Sequence, residues 1–352
     1  MKHSILALSI ICLFVASACN AQQPTLAIQL GGGKSVVMLL DSSAASNAIV
    51  YDKRDGFFEK VTSSEMSIQM KKPLEAGQSR SSLLTEYIQF LKGDVVSFDE
   101  ADVKFLTTVV EKMFKTVNEV SPTIFPDTLK LIKTKGRHYG DGVWYTRENC
   151  IIIPENELKS RKNTPFLSTM YHELFHIYSR LNPNKSGALY QLIGFEALGY
   201  ENLTVPPGLA ERIFFNPDGV DFAQKIALVQ EDKSIISAIP VIYGNHVGYK
   251  PGNNEFFGYL EFNLYQVEKQ ADGKWLVKVQ EDGFSSTLHI ESQLNFFTQI
   301  KDNTGYIIHP DEVLADNFSF IMQERNGIKV SLKFSVAGKQ LLKDVEEILT
   351  KK

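Results

Sequence analysis

The chain has 352 residues, 43% of them apolar and 22% charged, with a formal net charge of -4 at pH 7. That length supports a real core, in one large domain or two small ones, and the composition is that of an ordinary globular protein. So mild a charge, with no basic run, argues against nucleic acid or an acidic membrane surface as a partner.

The first residues read as an export signal. Lys2 and His3 precede the apolar run Ile5 to Val15, too short for a membrane span, and the small-residue segment ASACNAQ follows. Ala16-Ser17-Ala18-Cys19 resembles a bacterial lipobox with Cys19 as the lipidated residue, although Ala16 stands where Leu is more usual. Cleavage after Ala21 instead would release a soluble protein. Residues 1–21 are therefore assigned as a signal peptide. The mature chain is expected in the periplasm or at the outer membrane or cell surface, touching a membrane only through lipid on Cys19. Cys150 is then the single cysteine of the mature body, which leaves no internal disulfide, and its Ile151-Ile152-Ile153 neighbours mark it as buried filler.

Thr25 to Leu30 and Val36 to Leu40 read as strands around Gly31-Gly32-Gly33. Leu83, Leu84, Tyr87, Ile88 and Leu91 share one helical face, and a longer stripe runs from Phe105 to Val117. Ser97 and Glu100 have the spacing of a capping box for that second helix. Thr128 to Lys133 is a predicted strand, and GVWYTRENCIIIP a hairpin about Arg147-Glu148-Asn149. A helix follows, with Thr164 at its N-cap and Pro165 at its first position. From Leu181 to Gly305 the chain is strand-rich, with a short helix in VPPGLAERIFF and strands on either side of Asp272-Gly273. Pro310 opens a helix with Asp311 and Glu312 in its first turn, and Asn326-Gly327 closes it. A last amphipathic helix spans about Lys339 to Leu349. This order indicates a single α+β domain over residues 22–352, with a strand-rich lobe at about 181–305.

The helix after the hairpin carries His172, Glu173 and His176 in the order H-E-x-x-H. Residues four apart share a helical face, so both imidazoles can serve one zinc ion, and Glu173 can take a proton from water that the ion activates. A chance match is expected in roughly one chain in a hundred of this size. The uncharged neighbours Thr169-Met170-Tyr171, Leu174-Phe175 and Ile177-Tyr178 fit a buried metal helix better than a solvated one.

T-M-Y-H-E-L-F-H-I-Y resembles the extended signature of zincin metallopeptidases. The resemblance extends to the preceding hairpin. In thermolysin-like enzymes a short edge strand and a second strand lead into the metal helix, places taken here by Val143-Trp144-Tyr145-Thr146 and Cys150-Ile151-Ile152-Ile153. It implies a zincin-like fold in which the 181–305 lobe is an insertion between the metal-binding helices, and an edge strand whose Val143, Trp144 and Tyr145 bind a peptide backbone.

Metzincins place a third histidine a few residues on, but here the next is His246. The resemblance then turns to gluzincins, whose third ligand is a glutamate. Glu196 lies 196 − 176 = 20 residues past His176, the thermolysin-like spacing, but sits between Gly194 and Gly199. Glu312, 312 − 176 = 136 residues past His176, begins E-V-L-A-D, which resembles the glutamate helix of neprilysin-like gluzincins. Asp316 stands one turn later, where it can orient a ligating imidazole. Glu312 is the preferred ligand, with Glu196 second. Tyr243, His246, Tyr249, Tyr306 and His309 are candidates to stabilise an oxyanion.

The expected function is that of an exported zinc peptidase acting on a peptide or protein. His172, His176 and Glu312 bind Zn2+, Glu173 is the general base, and Asp316 orients a ligand. Two alternatives are a non-catalytic surface lipoprotein that uses the fold as a binding module and a metallohydrolase acting on a non-peptide amide. Retention of Glu173 favours catalysis over the binding module. Oligomeric state has no signature in the chain.

Overall fold

The computed structural model describes residues 25–351 except 221 and 223, so the predicted export signal and Cys19 lie outside the described residues. The architecture is mixed α+β, with two six-stranded sheets. The first contains β1 (Leu26–Leu30), β2 (Ser35–Leu39), β3 (Val95–Val96), β4 (Thr128–Thr134), β5 (Tyr145–Arg147) and β6 (Cys150–Pro154). Its order is β1-β2-β4-β6-β5, with β3 beside β4. β2, β4 and β6 are parallel, while β1 and β5 close the two edges antiparallel. The β1–β2 turn uses Gly31, Gly32 and Gly33 at φ of 56°, 70° and 92°, a left-handed run that side chains would strain.

Helices α1 (Ser42–Ala48), α2 (Phe57–Lys60), α3 (Ser63–Met70) and α4 (Arg80–Lys92) fill the stretch between β2 and β3. α5 (Glu100–Val120) leads to β4, and α6 (Glu155–Ser160) and α7 (Asn163–Leu181) follow β6. Residues Cys150 to Ile153 are buried throughout, as a strand covered on both faces requires. Ile151 and Ile153 join the cluster containing α5 and α7, while Cys150 and Ile152 face the side of α1 to α4. Burial pushes the Cys150 thiol up to about 11, which suits a packing residue and not a nucleophile.

The second sheet belongs to the lobe. After α8 (Pro183–Leu192) come β7 (Phe195–Ala197), β8 (Leu203–Thr204), α9 (Pro207–Ala210), β9 (Gln224–Val229), β10 (Ile235–Gly244), β11 (Leu260–Lys269), β12 (Trp275–Val277) and α10 (Leu294–Ile300). The sheet order is β7-β9-β10-β11-β12-β8. Ile226, Leu228, Ala238 and Leu264 from this sheet join the same apolar cluster as α7, so the core continues from one sheet to the other. α11 (Pro310–Arg325) and α12 (Val336–Thr350) complete the chain.

Several local expectations are corrected. α5 is capped by Asp99 and Asp102, which bond each other's backbone amides, two residues later than the Ser97–Glu100 pairing. α7 starts at Asn163 with Lys162 at its N-cap, so Thr164 and Pro165 lie inside the first turn, where proline's missing N–H costs nothing. α12 starts at Val336 on a Ser335 cap, earlier than Lys339. The edge strand begins at Tyr145, leaving Val143 and Trp144 just before it. Trp144 instead packs its ring on Phe166, 4.7 Å between centroids.

α7 and α11 pack against one another through Phe175 and Phe318, both fully buried, with ring centroids 5.5 Å apart. Phe318→Ala should lower stability by about 3–5 kcal/mol, because the neighbouring helices cannot close over so large a void. Chemical denaturation of parent and variant measures this, and a loss below about 1 kcal/mol would mean that the α7–α11 contact is loosely packed.

Candidate metal centre

His172, Glu173 and His176 come from the middle of α7, and Asp311, Glu312 and Asp316 from the facing side of α11. Each imidazole gives its Nδ1–H to a carboxylate of α11: His172 to Asp316 at 2.9 Å and His176 to Asp311 at 2.7 Å. A carboxylate can only accept here, so Nδ1 carries the proton in both rings and both Nε2 atoms are left for another partner. They face Glu312. Its Oε2 is 3.0 Å from His172 Nε2 and 3.3 Å from His176 Nε2.

The outer carboxylates are held in turn. Asp311 accepts from Ser179 Oγ at 2.5 Å and from Tyr190 OH at 2.6 Å, and Asp316 accepts from Thr304 Oγ1. Asn216 donates to the other oxygen of Glu312 at 2.6 Å. His309 caps α11 by accepting from the Asp311 amide at 3.1 Å, which accounts for this residue without a catalytic role.

Two atoms at the centre are buried without a hydrogen-bond partner: His176 Nε2 and Glu173 Oε2. An orphaned imidazole nitrogen beside an ionised glutamate is costly unless a cation joins them. Donor atoms of His172, His176 and Glu312 all lie within 4.8 Å of one another. Two imidazoles and one carboxylate, each steadied from behind, fit a zinc-type ion.

In the metal-free chain a proton takes the cation's place. Burial pulls the His172 imidazole down, but the hydrogen bonds to Asp316 and Glu312 outweigh it and push it up to about 10. His176 is raised as well, since the Glu312 and Asp218 charges overcome its burial. Burial would raise Glu312, yet the two imidazoles hold its carboxyl well below the usual range. Glu173 is pushed up to about 8, first by burial and then by the neighbouring Asp218 charge.

The centre opens to a cleft of about 580 Å³, whose lining includes Val143, Trp144, Tyr306 and Phe257. Tyr306 stacks on His172 at 5.9 Å between centroids. The Glu312 charge and then burial keep its phenol protonated, and so a donor. The other oxyanion candidates turn elsewhere. Tyr243 packs on Tyr265, His246 bonds the Gly248 carbonyl, and Tyr249 OH donates to Asn254. Tyr145 is buried, with its OH 3.1 Å from His138 Nε2, so its side chain is not a cleft wall. Glu196 sits on β7 and pairs with Lys225, outside the histidine cluster.

Sequence reasoning missed three residues here. Asp311 stood in plain view as a first-turn acid, but its bond to His176 depends on how the helices cross. Asn216 and Asp218 lie in the turn N-P-D-G, which reads only as a turn. No protein-family model matches the chain, and comparison with curated proteins and with solved structures gives no match either.

The raised values of His172 and Glu173 mean that the folded chain holds these protons more tightly than the unfolded one. The resulting stabilisation is complete below the unfolded values and is lost as pH rises through about 10 for His172 and about 8 for Glu173. In chelator, the stability advantage of the parent over His172→Gln should therefore shrink between 6.5 and about 10. Denaturant unfolding across that range is the measurement, and an advantage that grows with pH would contradict the assignment.

Proposed function

We propose that the protein is a zinc-dependent hydrolase of the gluzincin kind, acting outside the cytoplasm on peptide bonds. The observation that carries this reading is the convergence of His172 Nε2, His176 Nε2 and Glu312 on one point, beside the unpartnered buried oxygen of Glu173. His172, His176 and Glu312 would hold the ion, with Asp316 and Asp311 fixing the two rings. When bound, zinc supplies Lewis acidity, lowering the pKa of water and polarising a carbonyl.

The remaining chemistry belongs to side chains. Glu173 takes the proton of the attacking water and returns it to the leaving nitrogen. Its burial gives it the basicity that proton transfer near neutral pH requires. Tyr306, protonated and stacked over His172, donates to the carbonyl oxygen as negative charge develops there. The cleft runs past the approach to the edge strand, where the backbone at Val143 and Trp144 can align an extended chain. Export is supported by the N-terminal segment, and palmitate labelling that disappears in Cys19→Ser would establish the lipid anchor.

Four substitutions separate the roles. Glu173→Gln should keep zinc and fold while losing hydrolysis of a peptide library by several orders of magnitude, since the amide cannot take the proton. Unchanged turnover would remove Glu173 from the mechanism. For the ligand set, Glu312→Ala should release zinc most readily, Asp316→Ala should weaken it by about 10- to 100-fold, and Glu196→Ala should leave it intact. Loss of zinc in Glu196→Ala with retention in Glu312→Ala would reverse the assignment.

A further inference from the structure

A smaller recess adjoins the cleft. The two share Val143, Trp144, Phe257 and Tyr306, so one leads into the other. Two residues lining the recess also touch the metal centre. Tyr306 stacks on His172 with 5.9 Å between centroids, and Asn216 donates to Glu312 at 2.6 Å. A substrate side chain that enters there belongs to a residue beside the bond being cut.

The lobe supplies most of its walls through Phe214, Phe215, Ile242, Phe256 and Leu260, and Ile308 joins them from the segment before α11. The walls are braced. The Phe214 amide bonds the Ile242 carbonyl at 3.0 Å, and the Phe214 and Phe256 rings stack at 5.4 Å between centroids. Tyr139 meets Phe256 edge-on at 5.0 Å. Polar groups of the lining are largely committed to one another. Glu65 accepts from Gln69 at 2.9 Å and from the Phe215 amide at 3.0 Å, Tyr145 OH is engaged with His138, and Asp218 holds Thr146. The Tyr139 hydroxyl is buried without a partner. A charged chain entering such surroundings would lose its water and gain little in return.

Size sets a second limit. The recess measures about 60 Å³, whereas an apolar cavity of about 150 Å³ holds benzene. Braced walls leave room for a branched aliphatic chain and too little for an aromatic ring. We propose that this recess selects the substrate by receiving one side chain of valine or leucine size next to the scissile bond; the inference rests on the peptide-hydrolase reading above. Specificity then comes from the lobe, which is the part of the chain inserted between the two metal-binding helices, and not from those helices themselves.

The test uses the full mature chain with zinc and a peptide library in which Leu, Val, Ala, Thr, Phe and Lys are compared on each side of the cleaved bond. On one side Leu or Val should exceed Ala, Phe and Lys in kcat/KM by more than about 10-fold, the scale on which an apolar pocket discriminates. Ile308→Ala, which shortens a half-buried wall residue, should improve Phe relative to Leu at that position by about 10-fold or more. Ile308→Phe should fill the recess and erase the preference of Leu over Ala. Cleavage without aliphatic preference on either side overturns the pocket and leaves the hydrolase standing. A preference for Thr over its isostere Val overturns apolar selection, because the Tyr139 hydroxyl would then be reading the chain. A zinc-loaded parent that cleaves no peptide overturns the hydrolase reading and the pocket together. Should Ile308→Ala fail to fold, Leu260→Ala widens another wall and is read in the same way.

Discussion

The seam between α7 and α11 is the constraint on which the centre depends. Along it run Asp316, His172, Glu312, His176 and Asp311, alternating acid and imidazole, every ring nitrogen directed at a carboxylate of the opposite helix. Burying such groups is expensive, and breaking one partner strands the next. The apolar contact of Phe175 with Phe318 supplies the packing that keeps the two helices at the right distance. The charges then fix their register, because a shift of one residue along α11 would separate both Nδ1 atoms from their acceptors. Packing and electrostatics thus demand the same arrangement.

The lobe explains how so compact a centre can be built from distant parts of the chain. It leaves α7 at Leu181 and returns just before α11, and its second sheet extends the same core. It also reaches inward, with Asn216 on Glu312 and Asp218 on the edge strand. Arg180, one turn beyond His176, ties that loop to the hairpin through Thr146 and the Glu148 carbonyl. The negative charge gathered around two imidazoles makes the site hospitable to a dication, and in its absence to protons.

Much of the centre was legible because helices repeat locally. His172 and His176 four apart, and Glu312 and Asp316 four apart behind Pro310, declare their shared faces without knowledge of the fold. The hairpin before α7 and the turn at Asp272-Gly273 were equally plain from their turn residues. What escaped depends on tertiary placement. Asp311 reads as an ordinary first-turn acid until α11 crosses α7. Asn216 and Asp218 belong to a turn whose residues have adequate local reasons to be there. α1, α2 and α3 are too short to establish a period, and Trp144 left the expected strand because Phe166 offered it a ring to pack on.

The central claim is that the seam holds one ion through both histidines. Metal analysis of the purified mature protein, set beside His172→Ala and His176→Ala, tests it most directly. The account predicts about one zinc per parent chain and little in either variant. A parent without bound zinc, or variants that retain as much as the parent, would contradict it.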